Sequence, residues 1–153
     1  MDPYAIKFYP DDIKKRIRLS DPVESIKKEM KKLSKKADIF ILLTHQGYDL
    51  DLGLAKKIDG LDLIVGSHSQ TKIESPEEVN KTLIVQAGKS GYYVGVVEIK
   101  TNKGKVVEKS GRIDTMKFDM PDDPRIMKMI EEYETKTGRM NMRKKKLKEK
   151  ADG

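Results

Sequence analysis

The clearest pattern in this sequence is a pair of short apolar runs separated by a segment with helical spacing. The runs cover residues 38–44 and 61–66, and the amphipathic segment between them covers residues 50–58. Unbroken apolar runs of this length are typical of strands that are buried on both faces of a parallel sheet. The order strand, helix, strand therefore predicts a βαβ unit with parallel strands and a right-handed crossover.

An amphipathic helix is predicted upstream of this unit. Asp21 is a capping residue, Pro22 suits the first helical position, and Glu24 completes an arrangement similar to a capping box. The helix should continue to about residue 36 and lie on the sheet, because its apolar residues recur at three- and four-residue spacing. These residues are Val23, Ile26, Met30 and Leu33.

The second half of the chain predicts antiparallel strands and a final helix. Strands are expected at residues 82–87, 92–100 and 105–118, with a hairpin turn at residues 101–104. Asp122, Asp123 and Pro124 open the helix, which continues towards Gly138. The predicted fold class is therefore α/β (α+β mixed), with a βαβ unit followed by antiparallel strands and a C-terminal helix.

Composition limits the number of domains and the kinds of site. A chain of 153 residues fits one domain, which we place at residues 1–138, and the net charge of +7 comes largely from residues 139–153, predicted to be a basic, disordered tail. Without cysteine there is no disulfide and no thiolate metal site. The sequence has no signal peptide pattern and no apolar run of membrane-spanning length, so we expect a soluble chain of unknown localisation.

Two histidines stand just after the two apolar runs. His45 follows residues 41–44, and His68 follows residues 64–67. Because ligands bind beyond the carboxyl ends of strands in open α/β sheets, parallel neighbours should present both imidazoles at one edge. Gln70 could add a carbonyl oxygen to the same metal site. The alternative is that both are loop histidines that contact solvent or cap strand ends.

Two glycines accompany the histidines. Gly47 lies two residues after His45, and Gly66 lies two residues before His68. Glycine lets the backbone turn sharply or approach a ligand closely. We therefore interpret both as turn residues that support the candidate site.

At this point the order of residues resembles a known family. Residues 44–49 read Thr-His-Gln-Gly-Tyr-Asp, residues 54–55 read Leu-Ala, and residues 62–70 read Asp-Leu-Ile-Val-Gly-Ser-His-Ser-Gln. This succession is similar to the C-terminal half of the calcineurin-like metallophosphoesterase domain of the 5′-nucleotidase branch, and it covers roughly residues 17–100 with the helix near residues 121–133. As a set the motifs are specific, although each one alone is weak.

The resemblance implies half of a metallophosphoesterase β-sandwich and a metal-dependent phosphoester hydrolase. It implies that His45, His68 and Gln70 are metal ligands, and that a complete site holds two divalent ions, Zn, Mn or Co, that act on a phosphoester or nucleotide substrate. One departure is Ser67, where a second glycine is usual in the family.

The larger departure is that the family's early segments have no counterpart. Asp-x-His and Gly-Asn-His do not occur, and the chain has only 2 histidines. One hypothesis is therefore a hydrolase part that needs an N-terminal half for activity; the strand-like residues 4–8 fit a chain that begins within a domain. The alternative is a non-catalytic oligomerising or metal-binding protein that retains the half-fold, with self-association as a homo-oligomer. The basic tail contains no interleaved aromatic residues and no nucleic-acid motif, so nucleic-acid binding is not predicted.

Overall fold

The computed structural model describes residues 3–138, and two compact units divide the chain, Met1–Met116 and Lys117–Gly153. The predicted basic tail lies outside the described residues. Within residues 3–138, no helix combines the length and the apolar character that crossing a bilayer requires.

The helices of the first unit begin where the sequence provides caps. A short 3₁₀ helix, Pro3–Phe8, and the helix α1, Asp11–Lys14, precede α2, Pro22–Leu33, and α3, Tyr48–Lys57. The carboxylate of Asp21 accepts a hydrogen bond from the backbone N–H of Glu24 at 2.9 Å, as the predicted cap requires. The strand expected at residues 4–8 is wrong: Pro3 fixes a φ suited to the first turn of a helix.

A four-stranded sheet forms the centre of the unit. Its strands are β1, Ile41–Leu43; β2, Leu63–Val65; β3, Glu77–Val79; and β4, Thr82–Val85. Their order is β1-β2-β4-β3, with β1, β2 and β4 parallel and β3 antiparallel to β4. The predicted βαβ unit is confirmed as β1-α3-β2.

A long antiparallel hairpin completes the first unit. The strands β5, Tyr93–Asn102, and β6, Lys105–Thr115, pair along almost their whole length. The turn residues Lys103 and Gly104 have φ of 48° and 75°, the left-handed pair that two-residue hairpin turns prefer. In the second unit, α4, Pro124–Thr137, is capped by Asp123 and ends at a left-handed Gly138 with φ of 63°.

The hydrophobic core lies between one face of the sheet and the helices α2 and α3. The paired residues Leu42, Ile64 and Ile84 point to this face, and Ile64 and Ile84 are fully buried. Three of the four predicted apolar residues of α2 pack against this core: Val23, Ile26 and Met30. The remaining one, Leu33, is 45% exposed at the end of the helix.

The opposite face of the sheet is covered only in part. Residues of β2, β4 and the hairpin line a shared cavity of about 290 Å³, whereas Ile41 and Leu43 of β1 are 53% and 77% exposed. The expectation that the first apolar run is buried on both faces is therefore wrong for β1. The strand lies at the edge of the sheet, where the part of the chain that the structure describes leaves one face uncovered.

Candidate metal site

The two histidines lie at the same edge of the sheet because they follow parallel, directly paired strands. β1 and β2 end at matched positions, and the N–H of Thr44 donates to the carbonyl of Val65 at 3.0 Å. The imidazole of His45 places its Nε2 3.3 Å from Nδ1 of His68, with ring centroids 5.0 Å apart and planes inclined by 70°. The structure thus brings together the two side chains that the sequence placed at equivalent strand ends.

The separation of these nitrogens agrees with a shared metal ion. Two nitrogens that each lie about 2.0–2.1 Å from a tetrahedral Zn²⁺ are about 3.3–3.4 Å apart. The observed distance of 3.3 Å fits that spacing, and it is also the length of a direct N–H···N hydrogen bond between the two rings in the metal-free chain. Both imidazoles are exposed, so an ion and further ligands have access to them.

A serine links the two loops that carry the histidines. The hydroxyl of Ser67 donates to the carbonyl oxygen of Thr44 at 2.7 Å, and its oxygen lies 2.8 Å from Nδ1 of His45. The N–H of Gly47 also donates to the carbonyl of Ser67 at 3.1 Å. Ser67 therefore contacts both the backbone before His45 and its ring.

The loop after β2 has an unusual backbone conformation. His68 has a φ of 83° and Gln70 a φ of 57°, in the left-handed region that side chains other than glycine seldom adopt. Such residues are found at binding sites more often than elsewhere, because the surrounding structure has to hold them in place. The side chain of Gln70 is exposed on this loop, two residues beyond His68.

Ser69 anchors this loop to two other elements. Its hydroxyl donates to Oε1 of Gln86 at 3.0 Å and accepts the first N–H of α3, from Tyr48, at 3.1 Å. Its oxygen also lies 2.9 Å from Oγ1 of Thr71. Neither Ser69 nor Gln86 was predicted from the sequence. Gln86 is a polar residue within an apolar run, and that pattern is the signal that could have indicated it.

A buried carboxylate, Asp51, holds the loop that carries His45. Asp51 is fully buried, and it accepts hydrogen bonds from the hydroxyl of Thr44 at 2.8 Å and the amide of Gln46 at 2.9 Å, the residues on either side of His45. Burial raises the pKa of this carboxyl, and the two hydrogen bonds oppose that rise. The burial of Asp51 could not be predicted from the sequence, because an acidic residue in the first turn of a helix is normally exposed.

The two predicted turn glycines are required for different reasons. Gly47, which precedes α3, has a φ of 100°, a conformation that strains other residues. Gly66 has no such backbone requirement, but a Cβ placed there would lie 2.3 Å from Oδ2 of Asp51. Gly66 therefore permits the close approach of a buried carboxylate of the chain itself.

The site as described contains few ligands. Within residues 3–138, no group of three or more His, Cys, Asp or Glu side chains is arranged to hold a metal ion. The two imidazoles leave most positions around a metal ion to be filled by other groups. Imidazole nitrogens are donors that suit a divalent metal.

Similar proteins were found at the level of sequence. The uncharacterized metallophosphoesterase YunD of Bacillus subtilis is 36% identical over 95 residues, which cover 62% of this chain and 21% of that protein. The trifunctional nucleotide phosphoesterase protein YfkN of the same organism is 35% identical over 99 residues, 61% of this chain and 7% of that protein. This chain thus spans at most about a fifth of the length of these two relatives.

The fold comparison agrees with the sequence comparison. The crystal structure of a 5′-nucleotidase precursor from Thermus thermophilus superposes with a TM-score of 0.66 at 27% identity, covering 77% of this chain and 27% of that one. No protein-family model matches the chain. The mixed α/β architecture described above is thus the architecture of part of a metallophosphoesterase domain.

Proposed function

Because this chain belongs to the 5′-nucleotidase-type calcineurin-like metallophosphoesterases, we propose that it forms part of a metal-dependent phosphoester hydrolase and supplies the ligands His45, His68 and Gln70. The single observation that carries the proposal is the 3.3 Å separation between Nε2 of His45 and Nδ1 of His68, which fits two ligands of one ion.

The described residues hold and orient the ligands. β1 and β2 deliver the imidazoles from paired strand ends, Ser69 fixes the loop that carries His68 and Gln70, and Asp51 fixes the residues beside His45. A pair of divalent ions, Zn²⁺, Mn²⁺ or Co²⁺, would supply an activated water and neutralise charge on the phosphoryl oxygens. The relatives include a nucleotide phosphoesterase and a 5′-nucleotidase precursor, which supports a phosphoester or nucleotide as the substrate class.

The remaining ligands must come from outside this set of residues. We propose that an N-terminal half with Asp-x-His and Gly-Asn-His segments provides them. The exposed apolar side chains of β1 support this, because an edge strand with Ile41 and Leu43 at 53% and 77% exposure is a surface on which further strands can pack. The same chain without that half is proposed to lack hydrolase activity.

A second candidate is a non-catalytic, self-associating metal-binding protein. The same uncovered face of β1 favours it, since a second copy can bury Ile41 and Leu43 as well as an N-terminal half can. A symmetric pair would then contribute two sets of the same histidines. The solution mass in the presence and absence of metal distinguishes the two candidates.

The proposed ligands are tested by calorimetric titration of the chain with Zn²⁺ or Co²⁺. We expect one saturable ion per chain. His45→Ala and His68→Ala should each weaken metal binding by more than about 100-fold, because loss of a residue that only orients a ligand already costs about 10- to 100-fold. Lys89→Ala, at an exposed position elsewhere, serves as the control. Equal affinity in the histidine variants and the control would contradict the proposal.

An activity assay completes this test. With a generic phosphoester and Mn²⁺, Co²⁺ or Zn²⁺, hydrolysis is expected only when an N-terminal half is added to the chain. Substantial hydrolysis by the chain alone would contradict the proposal that most of the ligands come from an N-terminal half.

A further inference from the structure

The hydroxyl of Ser67 has only one hydrogen, and the structure assigns its use. Ser67 Oγ lies 2.7 Å from the carbonyl oxygen of Thr44. A carbonyl oxygen only accepts hydrogen bonds, so the serine hydroxyl donates to it. The oxygen of Ser67 can then only accept at its second contact, 2.8 Å away, which is Nδ1 of His45.

The direction of this hydrogen bond determines where the imidazole proton sits. Nδ1 of His45 must carry the hydrogen in order to donate to Ser67, and in a neutral imidazole the other nitrogen then has a free lone pair. That nitrogen, Nε2, is the one that lies 3.3 Å from His68. We propose that Ser67 is a positioning residue that fixes His45 in the Nδ1–H tautomer and so keeps the Nε2 lone pair directed at the metal site.

The same contact gives His68 a different state. In the metal-free chain, Nδ1 of His68 faces a lone pair on Nε2 of His45, so Nδ1 carries a hydrogen and donates it. An ion held by both of these nitrogens would need a lone pair on each. His45 would therefore already be in its binding tautomer, whereas His68 would have to release its Nδ1 proton when a metal binds.

The tautomer of His45 follows from the hydrogen bonds of Ser67 alone. The statement that the Nε2 lone pair points at a metal rests on the proposed function. A ligand imidazole is commonly oriented by a hydrogen bond from its other ring nitrogen, and loss of such a partner typically costs about 10- to 100-fold in metal affinity.

The test is long-range ¹H–¹⁵N correlation of the two imidazoles in the metal-free chain, in mildly alkaline buffer in which an ordinary imidazole is neutral. We expect a protonated Nδ1 and an unprotonated Nε2 for His45 in the natural chain. Ser67→Ala and Ser67→Gly should give a mixture of tautomers at His45, and Ser67→Thr, which restores the hydroxyl, should give the natural pattern again.

Two results would overturn the inference. One is a protonated Nε2 on His45 in the natural chain, which needs no variant and is independent of whether a variant folds. The other is a His45 pattern in Ser67→Ala that equals the natural one while the amide spectrum shows an intact fold.

Addition of Zn²⁺ separates this inference from the proposed function. We expect zinc to change the tautomer of His68 and to leave His45 protonated on Nδ1, with affinity about 10- to 100-fold lower in Ser67→Ala and recovered in Ser67→Thr. If zinc does not bind at all, the proposed function fails while the metal-free tautomer still decides the role of Ser67. If zinc binds and His45 changes tautomer instead of His68, the role assigned to Ser67 fails while the metal site stands.

Discussion

Individual side chains around the two histidines form three separate supports. Ser67 contacts the ring of His45, Ser69 ties the second loop to α3 and Gln86, and Asp51 lies beneath the first loop. Ser67 and Ser69 contact residues 17 to 23 positions away in the sequence, whereas Asp51 accepts hydrogen bonds from Thr44 and Gln46, 7 and 5 positions before it. The geometry of the pair therefore depends on residues that no metal would touch.

Asp51 should give the chain a recognisable dependence of stability on pH. Burial raises its pKa in the folded state, so the folded chain holds this proton more tightly than the unfolded chain does. The contribution of Asp51 to stability is therefore present in full below the ordinary aspartate pKa of about 3.9 and is lost as pH rises through the raised value.

The measurement is the free energy of unfolding of the natural chain and of Asp51→Asn at several pH values. The difference, natural chain minus variant, should fall as pH increases through that window, because asparagine has no proton to release. A difference that rises with pH would mean that hydrogen bonds from Thr44 and Gln46 outweigh burial.

Asp123, whose exposed carboxyl has a pKa lowered by Arg125, should show the opposite sign when replaced by asparagine.

At the scale of elements, the join between β2 and the loop that carries His68 depends on a close contact with α3. Gly66→Ala places a methyl group 2.3 Å from a carboxylate oxygen that Thr44 holds, so we expect a loss of about 1–3 kcal/mol in the free energy of unfolding. Gly53→Ala is the matched control, since nothing lies within 4 Å of its added Cβ. Because Gly53 lies inside α3, Gly53→Ala should stabilise the chain by about 0.5–1 kcal/mol. Chemical denaturation measures the free energy of unfolding of the two variants, and equal effects would contradict the close contact between Gly66 and Asp51.

Most elements could be predicted from local patterns. The helix starts at Asp21 and Asp123 and the hairpin turn at residues 101–104 are short-range features, and the structure confirms all of them. β3 was missed because its three residues include two glutamates and no apolar alternation. Its turn, Asn80-Lys81, has φ of 50° and 61° without the glycine that usually marks such a hairpin.

At the scale of the molecule, the uncovered face of β1 should control association. Leu43→Lys places a charge on an apolar edge where the side chain is 77% exposed, so it should lower the solution mass if copies pair through this face, with little change in unfolding free energy. Val107→Lys, at 62% exposure on the hairpin, is the control. Sedimentation or light scattering measures the mass. A monomeric natural chain would remove the self-association candidate and leave the face to an N-terminal half.

The periodic elements, the parallel order of β1 and β2, and the position of His45 and His68 at one edge could all be predicted, because apolar spacing is local and a strand-helix-strand order favours parallel strands. The 3.3 Å approach of the two ring nitrogens, the contacts of Ser67 and Ser69, and the burial of Asp51 against Gly66 could be seen only in the folded chain. These contacts join residues about 15–23 positions apart in the sequence, and their distances depend on how loops pack. Local propensity contains no information about such packing.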